Sequence, residues 1–214
     1  MLESIAIFSG LSQPELDILE NHMVRRNYQK NTVIINEGDE ASSLYIILEG
    51  EVKIFLSNEE GREIIINTQG PGDHFGELAL LDTAPRSASV MTTMKSTIGV
   101  VSKADFSTVL GRHPELALNL IRELTRRVRL LSDSVKTLAL MDVYGRVAKT
   151  LLSLAERSNG QLVIKNRPTQ QEIANRIGAS REMVARILKD LQTGNYISID
   201  GKRLTINDKL PDAW

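Results

Sequence analysis

The sequence predicts an α+β protein in three parts: an antiparallel β-rich region, one long helix, and a small module of short helices closed by a β-hairpin. Three observations lead to it. Between residues 28 and 102, β-rich runs succeed one another with only Gly- or Asp-containing turns between them. From Ala117 to Leu138 apolar residues recur in alternating steps of four and three, and from residue 140 both pattern and charge change. The chain has 214 residues, enough for one or two domains. With 42% hydrophobic and 25% charged residues, 14 Gly and 6 Pro, its composition is that of a globular protein and excludes collagen-like, low-complexity and disordered classes. It contains no Cys, which excludes disulfides, thiolate zinc sites, Cys-ligated iron–sulfur clusters and Cys nucleophiles, and makes the cytoplasm the expected compartment. No apolar run approaches the ~18 residues of a membrane span, and MLESIAIFSG at the amino terminus lacks the basic stretch of a signal peptide, so neither export nor membrane insertion is expected.

Taken in order, a short helical pattern spans Pro14 to His22. LYIILEG at 44–50 and EVKIFL at 51–56 are β-rich runs, SNEEGRE interrupts them, and EIIINTQ precedes the turn GPGD. Beyond Arg86, SASVMTTM and STIGVV add two strands that part near Lys95. Strands this closely spaced, with no helix between them, favour an antiparallel sandwich, barrel or roll over a parallel sheet, and an eight-stranded roll fits. A long helix then opens at Pro114, where a missing N–H leaves no bond unmade. Ala117, Ile121, Leu124, Val128, Leu131, Val135 and Leu138 form a coiled-coil seam over about three heptads, with Arg122, Arg126, Arg127 and Arg129 on other faces. One helix exposing such a seam invites a second copy, so a homodimer is expected; the alternative is a helix packed on its own domain. The expected divisions are 1–113 for the roll, 114–139 for the dimerisation helix and 140–214 for the final module.

That module differs in charge from what precedes it. Residues 1–139 hold 14 basic and 19 acidic side chains, net −5, whereas residues 140–214 hold 12 and 8, net +4, although the whole chain is at −1. A basic carboxy-terminal part suits a polyanionic partner. Helices are expected at about 141–157, 170–177 and 181–192, followed by the strand pair YISID-G-KRLTI, in which Asp200-Gly201 is a strong hairpin turn. Thr169 caps the second helix with Glu172 completing a capping box, Gly178 ends it in a tight turn, and Ser180 starts the third. Met183, Val184, Ile187, Leu188 and Leu191 make an apolar face for burial, which leaves Arg181, Glu182, Arg186 and Lys189 outward. Two capped helices joined by a short Gly turn form a helix–turn–helix, whose second helix enters the major groove, and the hairpin is its wing. Arg181 and Arg186 can each donate twice to a guanine edge and Glu182 can accept from a cytosine amino group. The competing explanation is an i, i+4 surface ion pair between Glu182 and Arg186.

A second candidate site lies in the β-rich part. FGELALLDTAPRSAS, residues 75–89, contains a short helical stretch from Glu77 to Leu81 whose N–H groups can face an anion. Arg86 can grip phosphate oxygens bidentately, the Ser87 hydroxyl adds a donor, and Glu77 suits ribose hydroxyls, so a nucleotide is described. A structural Glu77–Arg86 salt bridge explains the same residues without one.

The pattern F-G-E-L-A-L followed by P-R-S resembles the phosphate-binding cassette of cyclic-nucleotide-binding domains, and Gly38, Gly50, Gly61, Gly70 and Gly72 fall where that β-roll expects its turns. RPTQQEIANRIGASREMVARILKDL is similar to the DNA-binding helices of the family of bacterial transcription regulators named for the cyclic AMP receptor and the fumarate-nitrate reduction regulator, and the similarity covers almost the whole chain. The resemblance implies that Glu77 holds the ribose 2′-hydroxyl, Arg86 and Ser87 the cyclic phosphate, and Gly76 and Leu78 backbone contacts. It implies an Arg near the phosphate and a Thr-Ser pair on the dimer helix meeting the purine; here these positions hold Arg127 and Leu131-Ser132. Leu131 departs from the pattern because it cannot hydrogen-bond an adenine amino group. With the phosphate cassette intact, cyclic AMP remains the first expectation, with cyclic GMP, cyclic di-GMP, another nucleotide or a constitutive or differently gated regulator as alternatives. Arg181, Glu182 and Arg186 match the side chains that read a TGTGA-like half-site, Thr169, Ser180 and Lys189 flank them, and Gln170 replaces a backbone-contacting Arg. An activator contacting RNA polymerase is implied by the same resemblance.

The branches of the family that sense oxygen or carbon monoxide need Cys, which this chain lacks. His22, His74 and His113 have no metal-ligand spacing and are read as structural or surface residues, so no prosthetic group or metal is expected. No P-loop, Gly-x-Ser-x-Gly or His-Glu-x-x-His occurs, the paired Glu59-Glu60 reads as a solvated turn, and no catalytic residue is assigned.

Overall fold

Short strands separated by tight turns let the first hundred residues fold back on themselves repeatedly, and two antiparallel sheets result. In the computed structural model, which describes residues 2–82, 84–158 and 160–210, two short 3-10 turns at Leu2–Ser4 and Ala6–Phe8 precede helix α1 (Gln13–His22). Strands β1 (Val24–Tyr28), β2 (Val33–Ile35), β3 (Ser43–Glu49), β4 (Val52–Ser57), β5 (Glu63–Gln69) and β6 (His74–Phe75) follow. Then come the single-turn helix α2 (Leu78–Leu81), β7 (Ser89–Thr92), β8 (Ser96–Ser102), α3 (Lys103–Arg112) and the long α4 (Pro114–Leu140). The sheet orders are β1-β8-β3-β6 and β2-β7-β4-β5, eight strands in all, as the turn spacing led one to expect. The chain divides into two compact units, residues up to Leu56 with Ile65–Leu130, and Ser57–Ile64 with the chain from Leu131.

Both faces of the first sheet are covered. Leu44, Ile46 and Val101 pack with Leu16 and Leu19 of α1, Phe106 of α3 and Leu116 and Leu120 of α4, whereas Ile47, Phe75 and Ile98 meet Ile35, Val52 and Val90 of the other sheet. Burial of these aliphatic side chains is the main source of stability, roughly 1.5–3 kcal/mol for each fully buried one. The helix α3 was not expected from the sequence, which assigned residues up to 113 to the roll. Its signal is a cap: Ser102 Oγ accepts from the Asp105 amide at 3.1 Å, and Phe106 and Val109, three apart, face the core.

In the second unit, α5 (Val143–Leu154), β9 (Glu156–Ser158), β10 (Gln161–Ile164), α6 (Gln170–Ile177), α7 (Arg181–Thr193), β11 (Ile197–Asp200) and β12 (Arg203–Ile206) surround one core. The four strands form a sheet of order β11-β12-β10-β9. Here the first helix stops three residues earlier than expected, because Glu156 leaves it to pair with Val163, and cross-strand pairing outweighs helical pattern at a frayed end. Val147, Leu151, Ile173, Ile177, Val184, Leu188, Leu191 and Leu204 are buried. Met183 is not, being 39% exposed, so the apolar face of α7 is narrower than its sequence suggested.

The apolar residues of α4 fall on two stripes. Leu116 and Leu120, which lie outside the expected seam, are buried in the first core with Leu124 of the seam packed against it, while the seam residues Ile121, Val128 and Val135 are 57%, 61% and 64% exposed. The helix thus does pack on its own unit along one stripe and leaves a second apolar stripe uncovered.

Candidate functional site

The segment after β6 must turn sharply to enter α2, and Gly76 makes this possible with φ +84. A Cβ there would lie 2.6 Å from Arg86 Nη1 and 3.3 Å from the Ser43 carbonyl, so only glycine leaves room for the arginine. The Arg86 backbone is pinned on both sides: its N–H donates to the Asp39 carbonyl and its own carbonyl accepts from Gly38, each at 2.9 Å. Its guanidinium is buried, donating to the carbonyls of Gly76 at 2.6 Å and Ser43 at 2.8 Å and lying 5.6 Å from the centre of the Tyr45 ring. Tyr45 in turn stacks on Phe75, ring centres 5.1 Å apart.

Glu77 is buried directly behind Gly76. Arg86 is not its partner; Arg127 of α4 is, donating from Nη1 to Glu77 Oε1 at 2.8 Å. This disposes of the simple Glu77–Arg86 salt bridge. The second carboxylate oxygen, Oε2, is buried and meets no hydrogen-bond donor among the described residues. Burial pushes the Glu77 carboxyl above its ordinary range, although Arg127 pulls the other way. Arg127 has two further acceptors: Nη2 donates to the His74 carbonyl at 2.8 Å and Nε to Glu123 Oε1 at 3.0 Å. Glu123 is shared with Arg126, whose Nε and Nη2 approach its two oxygens at 2.9 and 2.7 Å. The Arg126 bond, with that of Arg127, holds Glu123 well down, at about 2, despite partial burial. His74 is buried with its ring 3.5 Å from Arg127, and burial, then the arginine charge, depress it to about 3. It is therefore a neutral, buried imidazole beside the candidate site, which answers to the structural half of the expectation and not to the surface half.

Of the other expected ligand residues, Leu78 and Ser87 are exposed and Gly76 is half-buried. Leu131 (46% exposed) and Ser132 present themselves on the open side of α4. Glu123, Tyr45 and Ser43 went unnoticed in the sequence, and His74 was read there as structural or surface. Only Glu123 carried a signal there, its i, i+3 and i, i+4 spacing to Arg126 and Arg127. His22 bonds the Ile18 carbonyl at 2.9 Å and His113 pairs with Glu15 at 2.8 Å. Among the described residues no cluster of side chains suits a metal ion, and no helix is long and apolar enough to cross a membrane.

In the second unit the caps form as their residue types dictate. Thr169 Oγ1 accepts from the Glu172 amide at 3.2 Å while Glu172 Oε2 accepts from the Thr169 amide at 2.6 Å. Gly178 ends α6 in the left-handed conformation, φ +63, and Ser180 Oγ accepts from the Met183 amide at 3.2 Å. Arg181, Glu182, Arg186 and Lys189 are all exposed along α7, with Gln170 half-buried at the start of α6. Among the described residues no ion pair joins Glu182 to Arg186, and both side chains are exposed.

Comparison with known proteins agrees with this division of labour. Residues 25–113 match the cyclic nucleotide-binding domain and residues 145–209 the Crp-like helix-turn-helix domain. The molecule is thus a cyclic nucleotide-binding, DNA-binding transcription regulator. Over 212 residues it is 34% identical to a CRP-like cAMP-activated global transcriptional regulator of Mycobacterium tuberculosis, a match covering 97% of this chain and 95% of that one. It is 33% identical to the cAMP-activated global transcriptional regulator CRP of Salmonella typhimurium, covering 91% and 95%. In structure it is similar to the c-di-GMP responsive global regulator CLP of Xanthomonas campestris, with a TM-score of 0.81 and 24% identity over 92% of this chain and 100% of that one. The chain belongs to the Crp/Fnr family of transcription regulators.

Proposed function

We propose that the protein is a cytoplasmic homodimer that binds cyclic AMP in its β-roll and, so bound, reads a TGTGA-like palindrome with the exposed face of α7. The observation that carries the ligand assignment is Glu77: a buried carboxylate whose Oε2 meets no donor among the described residues, beside two buried or half-buried arginines. A buried acceptor without a donor costs about 1–3 kcal/mol, which a ribose hydroxyl would recover. Arg86, Arg127 and the exposed Ser87 supply the donors for a phosphodiester, with Gly76 and Leu78 beside them. Residues 1–113 then serve as the nucleotide-binding roll, 114–139 as the dimerisation helix and 140–214 as the DNA-binding domain. Arg181, Glu182 and Arg186 specify bases, while Thr169, Gln170, Ser180 and Lys189 meet the backbone. In a dimer the two α7 helices would enter successive major grooves about 34 Å apart. Contact with RNA polymerase follows if the protein is an activator.

A second reading, in which cyclic GMP or cyclic di-GMP is the ligand or DNA binding needs none, is favoured by Leu131, an apolar side chain where the family's cyclic AMP receptors place a hydrogen-bonding Thr. Fluorescence anisotropy on a TGTGA-based palindrome at fixed salt separates the readings. A gain in affinity of at least about tenfold with cyclic AMP, lost in Arg86→Ala, is expected. Equal affinity with and without cyclic AMP, or a response to cyclic di-GMP alone, would replace the first reading by the second.

A further inference from the structure

Arg127 is placed where an anionic ligand would need it, yet every face of its guanidinium already has an acceptor: Glu77, the His74 carbonyl and Glu123. Two of these are fixed, Glu77 by burial and the carbonyl by strand β6. Glu123 is different. It lies on the same helix as Arg127, is less deeply buried than Glu77, and has a second, bidentate partner in the mostly exposed Arg126. A carboxylate held between two arginines can release one and remain ion-paired to the other.

We propose that Glu123 sets the strength with which the pocket holds an anionic ligand, by competing with that ligand for Arg127, and that Arg126 sets how readily Glu123 lets go. The inference rests on the ligand reading above and adds two positioning residues to it, neither of which touches the nucleotide. Its physical content is one of charge. The guanidiniums of Arg86, Arg126 and Arg127 face the carboxylates of Glu77 and Glu123, with Asp39 near Arg86 and Asp73 near Arg126, and the neutral His74 ring adds no charge. Removing the Glu123 charge while keeping its acceptor oxygen leaves Arg127 oriented but less neutralised. Removing Arg126 leaves Glu123 with Arg127 as its sole partner, and the ligand then has more to displace.

The two substitutions therefore act in opposite directions, which loss of a merely structural contact would not produce. Calorimetric titration of the full-length protein with cyclic AMP, at low and at moderate salt, tests this. Glu123→Gln is expected to bind about fivefold more tightly than the parent, with the steeper salt dependence of a more cationic site, and Arg126→Ala about threefold more weakly. In the double variant the loss caused by Arg126→Ala should vanish, since it operates only through Glu123. Unchanged or weaker binding by Glu123→Gln, or an Arg126→Ala penalty that persists in the Glu123→Gln background, overturns the proposal. If neither the parent nor Glu123→Gln binds cyclic AMP, cyclic GMP or cyclic di-GMP, the ligand reading fails and takes this inference with it. Binding by the variant alone would instead be its strongest support.

Discussion

At the scale of single residues, the electrostatics of the roll centre on three side chains shifted by different causes. Desolvation raises Glu77, the pairing with Arg126 and Arg127 lowers Glu123, and burial, then Arg127, lowers His74. His74 gives the clearest consequence. Its folded value of about 3 lies below the ordinary 6.5, so the unfolded chain takes up the proton first. Stability from this residue is fully present above pH 6.5 and is lost as pH falls towards 3. Glu77, shifted the other way, gains stability over part of the same range, so the contribution of His74 is read as a difference between proteins. Between pH 7 and pH 5 the parent should lose about 2 kcal/mol more than His74→Gln, measured by urea denaturation at each pH. Parallel losses would mean that the ring is solvated. Glu77 and Arg86 were legible in the sequence because their segment has a recognisable order of residue types. His74 was not, since nothing local distinguishes a buried imidazole from an exposed one. That Arg86 turns to two backbone carbonyls and Glu77 to Arg127 depends on contacts across 43 and 50 residues of chain.

In the second unit, elements whose ends carry side-chain caps were the most legible, whereas α3, capped by Ser102, was missed. Thr169 with Glu172, Gly178 and Ser180 place the termini of α6 and α7 by local bonds that need no distant partner. Gly178 is the test case. Its φ of +63 disfavours any residue with a Cβ, while the space around it does not, since the nearest side-chain atoms would be Leu138 Cδ2 at 3.4 Å and Ile64 Cδ1 at 3.6 Å. Gly178→Ala should therefore cost about 1–2 kcal/mol through backbone strain alone, and Gly178→Asn less, because Asn tolerates the left-handed region. Equal costs in denaturant melts would mean that packing, rather than φ, demands glycine here. In the second unit, what was misjudged was decided by partners. β9 takes residues that read as the end of a helix because β10 lies beside them, and Met183 stays outside the core although it follows the apolar period of α7.

For the molecule as a whole, the decisive feature is the uncovered apolar stripe of α4. A row of large side chains more than half exposed, on a helix whose other stripe is already buried, suits a second copy of the same helix. Val135→Glu, at a position 64% exposed, should leave each chain folded but shift sedimentation from dimer to monomer. It should also weaken binding to a palindrome by at least about 100-fold, because the two half-sites are then bound independently. A dimer that survives the substitution would move the interface elsewhere. The joint between α4 and α5 is short: Met141 continues the helical bonding to Thr137, Asp142 Oδ1 caps α5 through the Gly145 amide at 2.7 Å, and Lys149 reaches back to Thr137 Oγ1 at 2.6 Å. The sequence by itself determined the order of architectures, the eight strands, the apolar period of α4, the capped helix–turn–helix and the segment that resembles a phosphate-binding cassette, because each is written in spacing, turn chemistry or caps within about thirty residues. Only the tertiary structure decided which charges meet. The pairing of Glu77 with Arg127, the sharing of Glu123, the neutral His74 and the oxygen of Glu77 that meets no donor among the described residues all arise where burial removes water. There the choice of ion-pair partner depends on three-dimensional proximity, which no local pattern encodes.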